Sequence, residues 1–136
     1  MSAERPIDTR RFRQFVLPGD WLVLVGKTDE DNDYLSLEFA QPDDYWFHVD
    51  GHAGAHVLLL HKEGESAPRP IVESAAAIAA YYSKARNAKR VGVGMTRARA
   101  VGKRRGSPAG QVTVAKEEIL RVVPALPLPP DSTAKE

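Results

Sequence analysis

The chain has 136 residues, 43% of them hydrophobic, which is enough for one compact domain with a core and too few for two domains. It has no cysteine, so disulfides, thiolate zinc knuckles and a cysteine nucleophile are excluded, and any metal site would need His, Asp and Glu. The net charge of +1 conceals a segregation: residues 1–73 carry 14 acids against 7 bases, whereas residues 74–116 carry 10 bases and no acid. Those bases either await an external anion, which predicts nucleic acid, or meet the acids of the first half.

The N-terminus, MSAERPIDTRRFRQF, lacks the apolar core of a secretory signal, and no apolar run approaches the roughly 20 residues of a membrane span. The expectation is a soluble, cytoplasmic protein without a membrane partner. Pro18 and Gly19 mark a turn, and Trp21 to Val25 is a short apolar run suited to a buried strand. In TDEDNDYLSLEFAQPDDYWFHV two readings stay open. Leu35, Leu37 and Phe39 alternate like a strand, while Leu35 and Phe39 also lie four apart behind Asp29 or Asp31 as helix caps, with Pro42 as a stop.

YWFHV (45–49) and HVLLLH (56–61) are predicted strands joined through Gly51–Gly54. PRPIVESAAAIAAYYSKARNAKR predicts a helix over about 70–87: Pro70 suits the first turn, Glu73 the positive end, and Lys84, Arg86 and Lys89 the negative end. Its alanines would let it lie close on a sheet. RVGVGMT (90–96) is a strand, VGKRRGSPAGQ a basic loop, and GQVTVA and EILRVV two further strands. The sum is one α+β domain over residues 11–124, with a mixed, mainly antiparallel sheet. An N-terminal extension (1–10) precedes it, and a Pro-rich tail (125–136) expected to be extended or disordered follows.

In HVDGHAGAHVLLLH, residues 48–61, the histidines at 48, 52 and 56 have the four-residue spacing of helical zinc ligands. Gly51, Gly54 and the flanking β-formers oppose a helix there, and no glutamate sits at ligand spacing, so no metal is expected. In a strand–turn–strand, His48 and His56 face each other and His52 lies at the tip. They could hydrogen-bond the turn backbone, form an acid–base site with Asp44, or contact phosphate and bases.

The segments FRQFVLPGDWLVLVGKTDEDNDYLSLEFA, DDYWFHVDGHAGAHVLLL, SAAAIAAYYSKAR, VGKRRGSPAGQV and EILRVVP together resemble the NFACT-R domain, the RNA-binding module of the NEMF/RqcH/Caliban ribosome-rescue family, over about residues 11–124. The resemblance implies a helix over about 31–40 and the stand-alone bacterial form of the module. The family's Asp-x-Trp-Phe-His falls on Asp44, Trp46, Phe47 and His48, and its Pro-Gly-Ser-His on Ala53, Gly54, Ala55 and His56, where the proline and serine are replaced. Tyr82, Ser83, Lys84 and Arg86 match the helix end. Val101, Lys103 and Gly110 match the basic loop, with Arg104 and Arg105 beside Gly102, where a second basic residue is common. His52 and His61 are expendable by this alignment.

The expected function is RNA binding, to tRNA or rRNA. By resemblance alone, the large ribosomal subunit is a possible platform and ribosome-associated quality control of translation the setting; no cofactor is expected and any protein partner is open. The expected RNA-binding residues are Lys27, Trp46, His48, Gly54, His56, Ser83, Lys84, Arg86, Lys89, Arg90, Arg97, Arg99, Lys103, Arg104 and Arg105. Trp46, His48 and His56 would line a pocket that reads a base or an RNA end. One alternative is an RNA-processing or RNA-modifying enzyme with Asp44, His48 and His56 as its site, the less favoured reading; another is a protein-interaction module that uses the acidic half and the tail.

Overall fold

A computed structural model describes residues 5–127, so residues 1–4 of the extension and 128–136 of the tail lie outside the described residues. Strands β1 (Phe12–Leu17) and β2 (Trp21–Gly26) form a hairpin whose turn places Gly19 and Asp20 at φ of 86° and 64°. Glycine and aspartate tolerate that left-handed geometry better than most residues. Strand β1 has no counterpart in the sequence reading, because Arg13 and Gln14 are consecutive exposed residues that break the alternation.

The undecided segment is helical. Thr28 caps it by accepting a hydrogen bond from the Asp31 amide at 3.0 Å, α1 runs Asp29–Asp33, and a π-helical stretch continues over Tyr34–Phe39. The helix therefore starts two residues before the expected 31 and ends at 39. The Ala40 amide donates to the Leu35 carbonyl at 3.0 Å, and this wider winding turns the consecutive Leu35 and Ser36 both inward.

Strands β3 (Tyr45–Val49) and β4 (Val57–Leu59) follow, then helix α2 (Arg69–Tyr81), β5 (Val91–Arg97), a 3-10 turn (Ala98–Ala100), β6 (Val101–Gly102), β7 (Thr113–Val114) and β8 (Glu118–Val122). The main sheet has the order β1-β2-β4-β3-β5-β8, and β6 pairs with β7 in a small second sheet. Every pair is antiparallel.

Both faces of the main sheet are covered. On one, Val23, Val25, Phe47, Val57 and Leu59 meet α2 through the fully buried Ala75, Ala76, Ala79 and Ala80, whose small side chains let the helix backbone approach. On the other, Leu24, Trp46 and Leu58 meet Phe12, Leu35 and Ala98. Each large side chain so buried contributes about 1.5–3 kcal/mol.

Helix α2 ends at Tyr81, six residues short of the expected 87, for a tertiary reason. Past it the chain is captured by the 53–55 segment: the Ala55 amide donates to the Tyr82 carbonyl at 2.9 Å and the Lys84 amide to the Ala53 carbonyl at 2.8 Å. Lys84, Arg86 and Lys89 therefore lie beyond the helix rather than at its negative end.

Candidate nucleic-acid interface

Alternation along β3 points Tyr45, Phe47 and Val49 at α2, and Trp46 and His48 at the opposite face. His56, one residue before β4, meets them there. The His48 ring stacks parallel to Trp46 at 6.1 Å and presents an edge to His56 at 5.6 Å. The two histidines do face each other across the turn.

His56 is only 2% exposed, yet both ring nitrogens are bonded. The Trp46 Nε1–H donates to Ser36 Oγ at 2.8 Å, Ser36 Oγ lies 2.8 Å from His56 Nδ1, and His56 Nε2 lies 3.1 Å from the Gly110 carbonyl. The indole can only donate and the carbonyl can only accept, so the Ser36 hydroxyl donates to Nδ1 and His56 is the neutral Nε2–H tautomer. Burial, followed by the neighbouring His48, pushes its pKa down to about 4; burial likewise lowers that of His48.

This chain anchors the basic loop. Asp33 Oδ1 accepts from the Gly110 amide at 3.1 Å while its Oδ2 pairs with Lys103 Nζ at 3.1 Å. The Lys103 ammonium also donates to the Pro108 and Gln111 carbonyls at 2.8 and 2.7 Å, which uses all three of its N–H groups. Gly110, at φ 87°, lies so close to Asp29 that a Cβ there would be 2.9 Å from its carboxylate. Lys103 therefore closes its own loop, and Arg104 and Arg105 are the cations the loop presents.

Two adjoining clefts result. The larger, about 780 Å³, lies between the 50–54 turn and the 108–112 loop; Trp46, His48 and His56 line it, with Asp29, Asp50, His52 and Glu117. The smaller, about 420 Å³, is lined by Arg13, Lys27, Lys84 and Arg86 with Tyr82 and Ser83. Asp29, Ala53 and Gly54 border both. Gly54 is required at this junction: a Cβ there would stand 2.8 Å from that of Ser83.

Five of the expected residues, Lys27, Gly54, Ser83, Lys84 and Arg86, thus surround the smaller cleft, and Trp46, His48, Gly54 and His56 the larger. Arg104 borders a depression shared with Gln111 and Val112 of the larger cleft's wall. The remainder lie elsewhere. Arg90 lines a separate groove with Pro70, Glu73 and Arg121, and Lys89 is exposed in the preceding turn. Arg97 donates to the Asp43 carbonyl at 2.8 Å and covers the Tyr45 ring, and Arg99 pairs with the Asp43 carboxylate. Arg99 thus meets a first-half acid, one of the two fates open to the basic stretch, while Arg97 meets only the backbone of that residue and an aromatic ring. Arg13 of β1 and Tyr82 complete the smaller cleft although neither is among the expected RNA-binding residues: the strand carrying Arg13 has no alternating pattern, and Tyr82 enters only as a match to the family's helix end.

The acid–base grouping of Asp44 with the histidines is not assembled. Asp44 stands four residues from His48, about 13 Å along the strand. It is fully buried and bound by Arg5 at 2.7 and 3.0 Å, by the Gln41 amide at 2.8 Å, and by His61 through Nδ1 at 2.7 Å and its amide at 2.9 Å. Burial alone would raise the Asp44 pKa; the hydrogen bonds from Arg5 and His61 outweigh it and hold the carboxyl below its usual value. His61, expendable by alignment, is thus a structural partner, and Arg5 ties the N-terminal extension to the domain. No group of three or more His, Asp or Glu among the described residues is arranged to hold a metal, and no described helix is long and apolar enough to cross a membrane.

A family model described as the NFACT protein RNA binding domain matches residues 11–116, which include every residue of both clefts except Glu117. Two curated proteins, each named Rqc2 homolog RqcH, are similar. That of Streptococcus suis is 35% identical over 112 residues, covering 82% of this chain and 20% of that protein; that of Bacillus subtilis is 38% identical over 102 residues, covering 75% and 17%. Among solved structures, the C-terminal part of the fibronectin/fibrinogen-binding protein from Streptococcus suis matches with a TM-score of 0.77 at 31% identity, covering 92% of this chain and 47% of that one. The chain spans about a fifth of the length of these curated relatives.

Proposed function

The chain belongs to the NFACT protein RNA-binding domain family, and on that premise we propose that it binds RNA, tRNA or rRNA, through the smaller cleft and the Arg104–Arg105 loop. The observation that carries this reading is the convergence of Arg13, Lys27, Lys84 and Arg86, from three separate segments, on one cleft that holds a single carboxylate, Asp29. Four cations so placed attract phosphates and gain from releasing counterions. Tyr82, in the same lining and beneath the Arg13 guanidinium at 5.1 Å, offers a face for stacking. By likeness to the Rqc2 homologs, the ribosome is the platform and quality control of translation the setting.

The test is a filter-binding titration against tRNA and an rRNA fragment at several salt concentrations. Wild-type protein is expected to bind with a log–log salt slope of about −0.7 per phosphate neutralised, in the single-stranded case. Joint replacement of Arg13, Lys84 and Arg86 by Ala should weaken binding at least tenfold and flatten the slope. Millimolar affinity at low salt, or affinity unchanged by the triple replacement, would overturn the reading.

A further inference from the structure

The two clefts touch along Asp29, Ala53 and Gly54, but their charges are opposite. No lysine or arginine lines the larger one; its charged groups are Asp29, Asp50 and Glu117 beside three imidazoles. None of the ion pairs among the described residues uses Asp50 or Glu117. A phosphate entering there would meet carboxylates and no Lys or Arg, so electrostatics direct the backbone of a bound strand to the smaller cleft. Burial keeps His48 and His56 neutral at pH 7, so these two imidazoles do not reverse the sign.

The larger cleft suits a flat, uncharged group. Gly94 pairs with His48 across β3 and β5 and leaves the sheet bare of a side chain beside the imidazole, with the Glu117 carboxylate lying against it. Of these three neighbouring rings, Trp46 and His56 are buried and only His48, stacked on Trp46, keeps open surface. A planar ring, exposed stacking surface and carboxylate acceptors describe a nucleobase pocket. A carboxylate discriminates among bases by their donors. Guanine presents N1–H and N2–H side by side to its two oxygens; adenine and cytosine present an amino group beside an acceptor; uracil presents one N–H between two carbonyls.

We propose that the larger cleft takes one unpaired guanine base, stacked at His48 with its N1–H and N2–H donated to the Glu117 or Asp50 carboxylate, while the neighbouring phosphates occupy the smaller cleft. This rests on the RNA-binding reading above. Fluorescence anisotropy with a labelled ten-nucleotide oligouridine, and with the same strand carrying one central guanosine or inosine, separates the two claims. The guanosine strand should bind about tenfold more tightly than oligouridine, with inosine, which lacks the N2 amino group, in between. Joint Asp50→Asn and Glu117→Gln substitution should abolish that preference without weakening oligouridine binding. Equal affinity for the guanosine and uridine strands, or a guanosine preference that survives the double substitution, overturns the guanine pocket and leaves RNA binding standing. No binding of any strand overturns both.

Discussion

His56 illustrates how a residue that looks like a ligand or base becomes a pillar. Its Nδ1 must accept from Ser36, and protonation would place an N–H against that hydroxyl inside the core. With a folded pKa of about 4 against 6.5 for the free side chain, the unfolded chain binds more protons between those values. The stabilising contribution is therefore complete above pH 6.5 and is lost as pH falls towards 4. It is on the order of 3 kcal/mol. Urea unfolding of wild type should show its midpoint dropping steadily from pH 6.5 to 4. A His56→Gln variant should be less stable at pH 7 by about 1–3 kcal/mol and flatter across that window. Equal pH profiles for the two proteins would show that His56 is not held neutral by its surroundings. Asp44 acts in a separate, lower window: its carboxyl is held below 3.8, so its contribution is present above that value and fades below it.

At the scale of elements, the basic loop divides into residues that build it and residues it presents. Lys103 spends its three N–H groups on Asp33, Pro108 and Gln111, whereas Arg104 and Arg105 are exposed. Lys103→Met should make the 104–110 segment more readily cleaved by protease and lower the melting temperature. A joint Arg104→Ala and Arg105→Ala variant should melt like wild type and bind RNA several-fold less tightly. The reverse pattern would contradict the assignment. The same distinction marks what the sequence could reveal. That a lysine stands in a basic loop is legible; that it is consumed by Asp33 of a helix 70 residues earlier is not. Pro70 and the alanine spacing made α2 legible at its start, but its end is set by hydrogen bonds to Ala53 and Ala55, which leave no local trace. The strand–turn–strand at 45–61 showed in its runs of β-formers on either side of Gly51–Gly54, so the meeting of His48 and His56 could be anticipated. The extra residue of the π-helical stretch, which delivers Ser36 to both Trp46 and His56, carries no periodic signature. His61 looked dispensable because its value depends on Asp44 and Arg5, the latter 39 residues away from that aspartate.

For the whole molecule, the acid-free stretch of 74–116 is spread over several surfaces rather than one. Lys84 and Arg86 join Arg13 and Lys27 from the acidic half at the smaller cleft; Arg97 and Arg99 are occupied by Asp43; Arg90 lies in a groove that shares no residue with either cleft. Regional charge therefore points to only part of the surface proposed here for RNA. The most direct measurement is ultraviolet crosslinking of the full chain to tRNA or rRNA, with the modified peptides mapped by mass spectrometry. Crosslinks are expected at Tyr82 to Arg86, at the 26–28 segment, along the walls of the larger cleft at His48 to Gly54 and Pro108 to Gln111, and at Arg104 and Arg105. Crosslinks confined to Lys89, Arg90 and the Arg97–Arg99 segment, with the two clefts unmodified, would contradict the account.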